Sequence, residues 1–98
     1  MIPGLTSKLS ESVVASGATI VAKTDLVRLT GNTQVDTILP NFGGGFSGIL
    51  FVVPTDNTVV VSTTGNVAGA GSVTLLQNKV TCLVFSRGTG KWYTHALS

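Results

Sequence analysis

The sequence predicts an all-β protein, and three features indicate this fold class. Helix start and stop signals are nearly absent, and the length of 98 residues suits one small domain. Runs rich in Val, Ile, Thr and Leu are interrupted by Gly, Asn, Asp or Pro at intervals of about 8–12 residues. Short strands at this spacing are typical of a small β-sandwich or a jelly-roll-like barrel. We therefore expect one such domain, built from short and mostly antiparallel strands.

An N-terminal arm is predicted to precede the β domain. Residues 1–16 form the arm and residues 17–98 the domain. Leu5, Leu9 and Val13 are four residues apart, so we expect one helical turn over Leu5–Val14 and assign attachment to a partner to these three side chains. The predicted strands of the domain are Thr19–Lys23, Leu26–Thr30, Gln34–Leu39, Phe46–Val53, Thr58–Thr63, Ser72–Leu76, Val80–Ser86 and Lys91–Ala96.

Short polar or glycine-rich segments connect these strands. Asp56 and Asn57 tolerate the left-handed conformation, so we expect them to close a tight hairpin between the strands on either side. Arg87–Gly90 contains two Gly and predicts a second hairpin, between the last two strands. Asn41–Gly48 contains four Gly and is interpreted as a sharply turning loop. A phosphate-binding loop is excluded there, because no Lys-Ser or Lys-Thr pair and no helix follows it.

The composition indicates a surface that is largely buried against protein. Charged residues make up 10% of the chain, against about 25% in an ordinary domain. Mean hydropathy is +0.47. No membrane partner is expected, since the apolar run Ile49–Pro54 is far shorter than the roughly 20 residues of a spanning helix. The N-terminus lacks a basic segment followed by an apolar stretch, so we expect no signal peptide, a complete gene product and folding in the cytoplasm.

Alternation within one strand points to the same conclusion. Ile49, Phe51 and Val53 share one face of the strand Phe46–Val53, and the residues between them, Leu50 and Val52, share the other. Both faces are therefore apolar, as in a strand that is covered on both sides. A small sandwich has one interior, so we expect a subunit interface to supply the second cover. We place Phe51 in the core.

No catalytic residue, cofactor or metal site is predicted, and we expect the protein not to be an enzyme. His95 is the only His, and the four acidic residues never fall at paired spacing. Cys82 lies beside Leu83 in an apolar run, so both are expected in the core. The six basic residues are scattered and the net charge is only +2, which predicts no nucleic-acid partner.

Trp92 and Tyr93 are the candidate contact aromatics. Flat aromatic faces stack on sugar rings, so one interpretation is a surface that binds glycan. The other is that Trp92 completes a core or an interface and Tyr93 lies at its rim. Both interpretations stay open at the level of the sequence.

A set of short motifs over roughly residues 28–97 resembles a known family. The motifs, in order, are Thr30-Gly31-Asn32-Thr33, Val35-Asp36-Thr37-Ile38, Gly48-Ile49-Leu50-Phe51-Val52, Gly65-Asn66-Val67, Val80-Thr81-Cys82-Leu83-Val84-Phe85 and Gly90-Lys91-Trp92-Tyr93. This order resembles a β-rich module recurrent in virion proteins of tailed bacteriophages, including tail fibres, spikes and capsid-attached proteins. Arg87 and Thr94 stand where that pattern often has acidic residues. The resemblance implies a virion structural role and a homotrimer.

The short arm favours one position on the particle. Residues 1–16 are too few for a fibre shaft, so we expect a capsid decoration (cement) protein. Such a protein is made in the host cytoplasm, binds the major capsid protein at the capsid surface as a trimer, and stabilises the shell. The alternative is a tail-fibre or tail-tip protein that recognises host-surface glycan.

Overall fold

A computed structural model describes residues 11–42 and 48–94, and these residues form strands without an α-helix. The strands are β1 Glu11–Ala15, β2 Thr19–Ala22, β3 Leu26–Thr30, β4 Thr37–Pro40, β5 Ile49–Pro54, β6 Val59–Val61, β7 Val73–Leu75, β8 Thr81–Ser86 and β9 Lys91–Thr94. Most of these segments are rich in β-branched residues, which suit a pleated, half-buried surface. The all-β prediction is confirmed. The described residues include no helix that could cross a membrane.

The chain builds its first sheets by switching layers after each strand. β1, β3 and β5 are parallel neighbours in a five-stranded sheet of order β1-β3-β5-β8-β9. β2 and β4, which lie between them in sequence, pair in parallel in a separate two-stranded sheet. β6 and β7 form an antiparallel pair, and an isolated parallel bridge joins Val35 to Val61 of β6. The result is a two-layered, sandwich-like arrangement.

The expectation of mostly antiparallel strands is wrong, because three of the six strand pairings among the described residues are parallel. The physical reason is that most turns are corners between layers. Asp56 and Asn57 connect β5 to β6, which belong to different sheets, so they close no hairpin. The Arg87–Gly90 turn does join the paired strands β8 and β9, and Gly90 has a φ of 70° there.

One hydrophobic core lies between the layers. The five-stranded sheet contributes one side of each strand, and the smaller sheets and two isolated bridges contribute the rest. The buried apolar residues are Ile20, Ala22, Val27, Leu29, Val35, Ile38, Leu50, Val52, Val59, Val61, Val67, Leu75, Leu83 and Trp92. Leu83 was expected in the core and is there. Phe51 was also expected there, but it is only half-buried and its strand neighbours Leu50 and Val52 face the interior.

The segment Glu11–Ala15 differs from its predicted conformation. A helical turn was expected over Leu5–Val14, whereas Glu11–Ala15 is a strand that runs parallel to β3 from Glu11↔Leu26 to Ala15↔Thr30. Two consecutive Val favour the strand, and the hydroxyls of Ser12 and Thr24 lie within hydrogen-bond distance, at 2.8 Å. This part of the expected arm is therefore part of the sheet, and residues 1–10 lie outside the described residues.

Candidate interaction surface

The side of the five-stranded sheet that faces away from the core is the candidate functional site. We call it the outer face. On β5 it carries Ile49, Phe51 and Val53, and on β8 it carries Cys82 and Val84. Alternation predicted that both faces of β5 are apolar. In the structure, one face packs in the core and the other belongs to an open apolar surface. No described element of the chain covers this surface.

Strand register places the apolar side chains of the outer face next to one another. Ile49 pairs with Val84, and Val84 pairs with Tyr93, so the three form one row across β5, β8 and β9. Leu26, Phe51 and Cys82 form a second row across β3, β5 and β8. Neighbouring strands lie about 4.8 Å apart, so side chains in a row are in contact distance. The surface is therefore a continuous patch.

Exposure confirms that this patch is open to solvent. Val84 is 48% exposed, Ile49 45% and Tyr93 42%, and Val13 at the other end of the sheet is 55% exposed. Single exposed apolar residues are ordinary, whereas large contiguous apolar patches are typical of interaction sites. The patch is consequently suited to burial against a protein surface.

The charged side chains of the outer face lie at its two ends, with Glu11 and Arg28 on β1 and β3 and with Lys91 on the same side of β9 as Tyr93. Arg28 on β3 forms an ion pair with Glu11 on β1, and Val13 and Val53 flank Arg28 in its row. An exposed pair of this kind contributes about 0–1 kcal/mol to stability. The row of Ile49, Val84 and Tyr93 carries no charged side chain. Interface centres are similarly depleted in charge.

The two candidate contact aromatics have different positions. Tyr93 lies on the outer face, and its hydroxyl donates to the Thr89 hydroxyl over 3.0 Å. Trp92 is fully buried, packs edge-on against Phe85 with ring centroids 5.2 Å apart, and donates from Nε1 to the Ile38 carbonyl over 2.9 Å. Of the two interpretations of Trp92, completion of the core agrees with the structure, because the indole ring joins the two layers. The candidate role of Trp92 as a surface contact is therefore wrong.

Asn66 holds the same region together, although the sequence predicted no role for it. Its side chain accepts from the Ile38 N–H over 2.9 Å and donates to the Ile38 carbonyl over 2.6 Å. Its own carbonyl accepts from the Trp92 N–H over 2.8 Å. The amide thus pairs with β4 as a strand would, and its backbone pairs with β9. The Gly65-Asn66 pair was the signal for this contact in the sequence. Gly is required at position 65 because a Cβ there would lie 2.0 Å from the Asp36 carbonyl oxygen.

The remaining candidate residues do not assemble into a site. Cys82, expected in the core, is half-buried on the outer face opposite Phe51. The described residues contain no cluster of His, Cys, Asp or Glu that could hold a metal ion. Of the attachment residues, Val13 is exposed on β1, whereas Leu5 and Leu9 lie outside the described residues. His95 and most of the glycine-rich segment Asn41–Gly48 also lie outside them.

Comparisons with known proteins show a likeness of fold only. The sequence matches no protein-family model and no curated protein. One solved structure, described as a chaperone–substrate complex, superposes with a TM-score of 0.55 at 10% sequence identity. The match covers 81% of this chain and 14% of that one, so the shared fold is a small part of a much longer protein there.

Proposed function

We propose that this chain is a structural protein of a tailed-bacteriophage particle, and that it decorates and stabilises the capsid shell as a homotrimer. The observation that carries the proposal is the outer face, a contiguous apolar patch around Ile49, Val84 and Tyr93. A surface of this kind suits permanent protein contacts, which bury apolar area that would otherwise face water. The motif order from Thr30 to Tyr93 supports the virion assignment.

The low charge of the chain supports the same role. Only 10% of its residues are charged, so little of the surface is specialised to remain in water. A decoration protein makes many identical contacts on one shell, and simultaneous engagement of several weak contacts raises their combined affinity. Under this proposal the partners are other copies of the chain and the major capsid protein.

A tail-fibre or tail-tip adhesion protein is the second candidate, and one observation favours it. The aromatic ring of Tyr93 is exposed on the outer face, where it is available to stack on a sugar ring. The burial of Trp92 counts against glycan stacking through that residue and leaves Tyr93 as the available aromatic.

The two functions predict different particles when the gene is deleted. A decoration protein is present in proportion to the major capsid protein, and particles without it assemble but burst at lower temperature or under osmotic shock. A tail-tip protein is present in a few copies, and particles without it keep their heat resistance but fail to adsorb to cells. Normal heat resistance with lost adsorption would replace the first proposal by the second.

Substitutions on the outer face test which surface makes the attachment. Val84→Lys places a charge in the centre of the apolar row and should abolish binding to purified shells that lack this protein. Leu76→Lys is the matched control, because Leu76 is similarly exposed but follows β7, outside the five-stranded sheet. Equal binding by both variants would show that the outer face is not the attachment surface.

A further inference from the structure

The free edge of β1 carries a second interaction surface that is separate from the outer face. The Ser16 N–H donates to the Thr30 carbonyl over 2.9 Å, so Ser16 directs its backbone groups towards β3. Backbone direction alternates along a strand, and Ser12 and Val14 therefore also face β3. It follows that Glu11, Val13 and Ala15 direct their N–H and C=O groups away from the sheet.

The described part of the chain places nothing on that side of β1. The strand order begins with β1, and its residues alternate between exposed and half-buried. Unpaired backbone groups along an edge strand are a template for pairing with another strand. Natural edges are usually protected by charge, proline or a covering segment. Among residues 11–42 and 48–94, this edge carries only Glu11 as protection, and its charge is paired with Arg28.

We propose that β1 pairs antiparallel with β1 of a second copy of this chain around a two-fold axis. In the register centred on Val13, each Glu11 lies opposite Ala15 of the other copy, and the two Val13 residues lie opposite each other. All three outward-facing residues then form hydrogen-bonded pairs, with about six N–H···O=C bonds in total. The two five-stranded sheets become one continuous sheet, with both outer faces on the same side.

The sequence of β1 is complementary to itself in this register. The two Glu11 residues are offset by four positions, about 13 Å at 3.3 Å per residue, so their repulsion is largely screened at physiological salt. The exposed Val13 side chains meet across the axis as a β-branched cross-strand pair, which is favourable on a sheet surface. A second copy is therefore the occupant that this edge fits.

This two-fold contact does not depend on the virion role. If the three-fold association proposed above also forms, the β1 contact joins two trimers into a hexamer, and without it the contact gives a dimer. In either case the mass of the assembly is an even multiple of the 10.0 kDa chain mass. A monomer or an isolated trimer in sedimentation equilibrium of the full chain would overturn the proposal.

Substitution by proline tests the contribution of the edge hydrogen bonds to association. Val13→Pro removes the central outward N–H while leaving the ladder to β3 intact, so the mass of the assembly should halve. Val13→Ala is the control, because it keeps the N–H and should keep the even multiple. An unchanged mass for Val13→Pro, with its β circular-dichroism spectrum preserved, would also overturn the proposal.

Cysteine substitution tests the register and does not require loss of assembly. In a Cys82→Ser background, Val13→Cys places two thiols on residues whose Cα atoms are about 5.5 Å apart across the axis, within the range of a disulfide. Oxidation should therefore link two chains covalently. Glu11→Cys in the same background puts the thiols about 13 Å apart and should not cross-link. Equal cross-linking of both variants, or of neither, would refute this register.

Discussion

The two edges of the five-stranded sheet differ in how their outward backbone groups are hydrogen-bonded. At the β9 edge, Trp92 donates its N–H to the Asn66 carbonyl and accepts from the Ala68 N–H, both over 2.8 Å. At the β1 edge, the backbone groups of Glu11, Val13 and Ala15 meet no other described strand. One edge is therefore closed by a segment from the middle of the chain, and the other is available to a second chain.

The two edges contribute to different properties of this small protein, the closed edge to its stability and the open edge to its capacity to associate. The closed edge lies against the largest buried side chain, and the contacts of Asn66 and Trp92 with Ile38 tie the two layers together. The open edge carries a short strand with half-exposed side chains. We therefore expect substitutions at the closed edge to affect folding and those at the open edge to affect association.

Trp92→Ala should produce the largest loss of stability. The indole is fully buried and fills the space between β9, β4 and Phe85, and truncation of a buried Trp costs about 3–5 kcal/mol. The Ile38 carbonyl keeps its bond from Asn66, so most of the loss comes from packing. Urea denaturation should show this as a lower midpoint. Tyr93→Ala, next in sequence but on the outer face, is the control and should cost less than about 1 kcal/mol.

Asn66→Ala should have a smaller but distinct effect. β4 directs the Ile38 N–H away from β2, and the Asn66 side chain is its acceptor. Removing the amide leaves this buried donor without a partner, at a cost of about 1–3 kcal/mol. The exposed Asn57 supplies the control, and Asn57→Ala should change the free energy of unfolding by no more than about 0.5 kcal/mol. Equal thermal stability of the two variants would show that the closed edge does not rely on Asn66.

Much of the strand content could be predicted from sequence, because alternation and turn residues are local signals. The predicted Leu26–Thr30 strand coincides with β3, and the two apolar faces of β5 follow from its alternation. The partners of the strands could not be predicted. A polar pair such as Asp56-Asn57 suits a corner between layers as well as a hairpin, so the turn residues do not reveal which strands pair. The parallel pairing depends on contacts between residues that are distant in sequence.

For the candidate surface, too, local features could be predicted from the sequence, whereas contacts between distant residues could not. Alternation indicates that Ile49 and its neighbours need a cover, but it does not tell which face of β5 belongs to the core. The burial of Trp92 depends on Ile38 and Asn66, which are far from it in sequence. The four-residue spacing of apolar residues up to Val13 suggested a helix, whereas pairing with β3 favours a strand, since tertiary contacts override weak local preferences.

The smallest effect on folding is expected at the open edge, where two neighbouring proline substitutions can be compared. Val14→Pro removes an N–H that faces β3 and should cost about 1–2 kcal/mol through the lost ladder bond and the packing around it. Val13→Pro removes an N–H that faces solvent in the single chain, a position where an edge strand tolerates Pro, so it should lower the free energy of unfolding by less than Val14→Pro does. Chemical denaturation in dilute solution, where chains are separated, measures this difference without a contribution from association. If Val13→Pro were the more destabilising of the two, β1 would direct the opposite set of backbone groups towards β3, and the edge available to a second copy would be that of Ser12 and Val14.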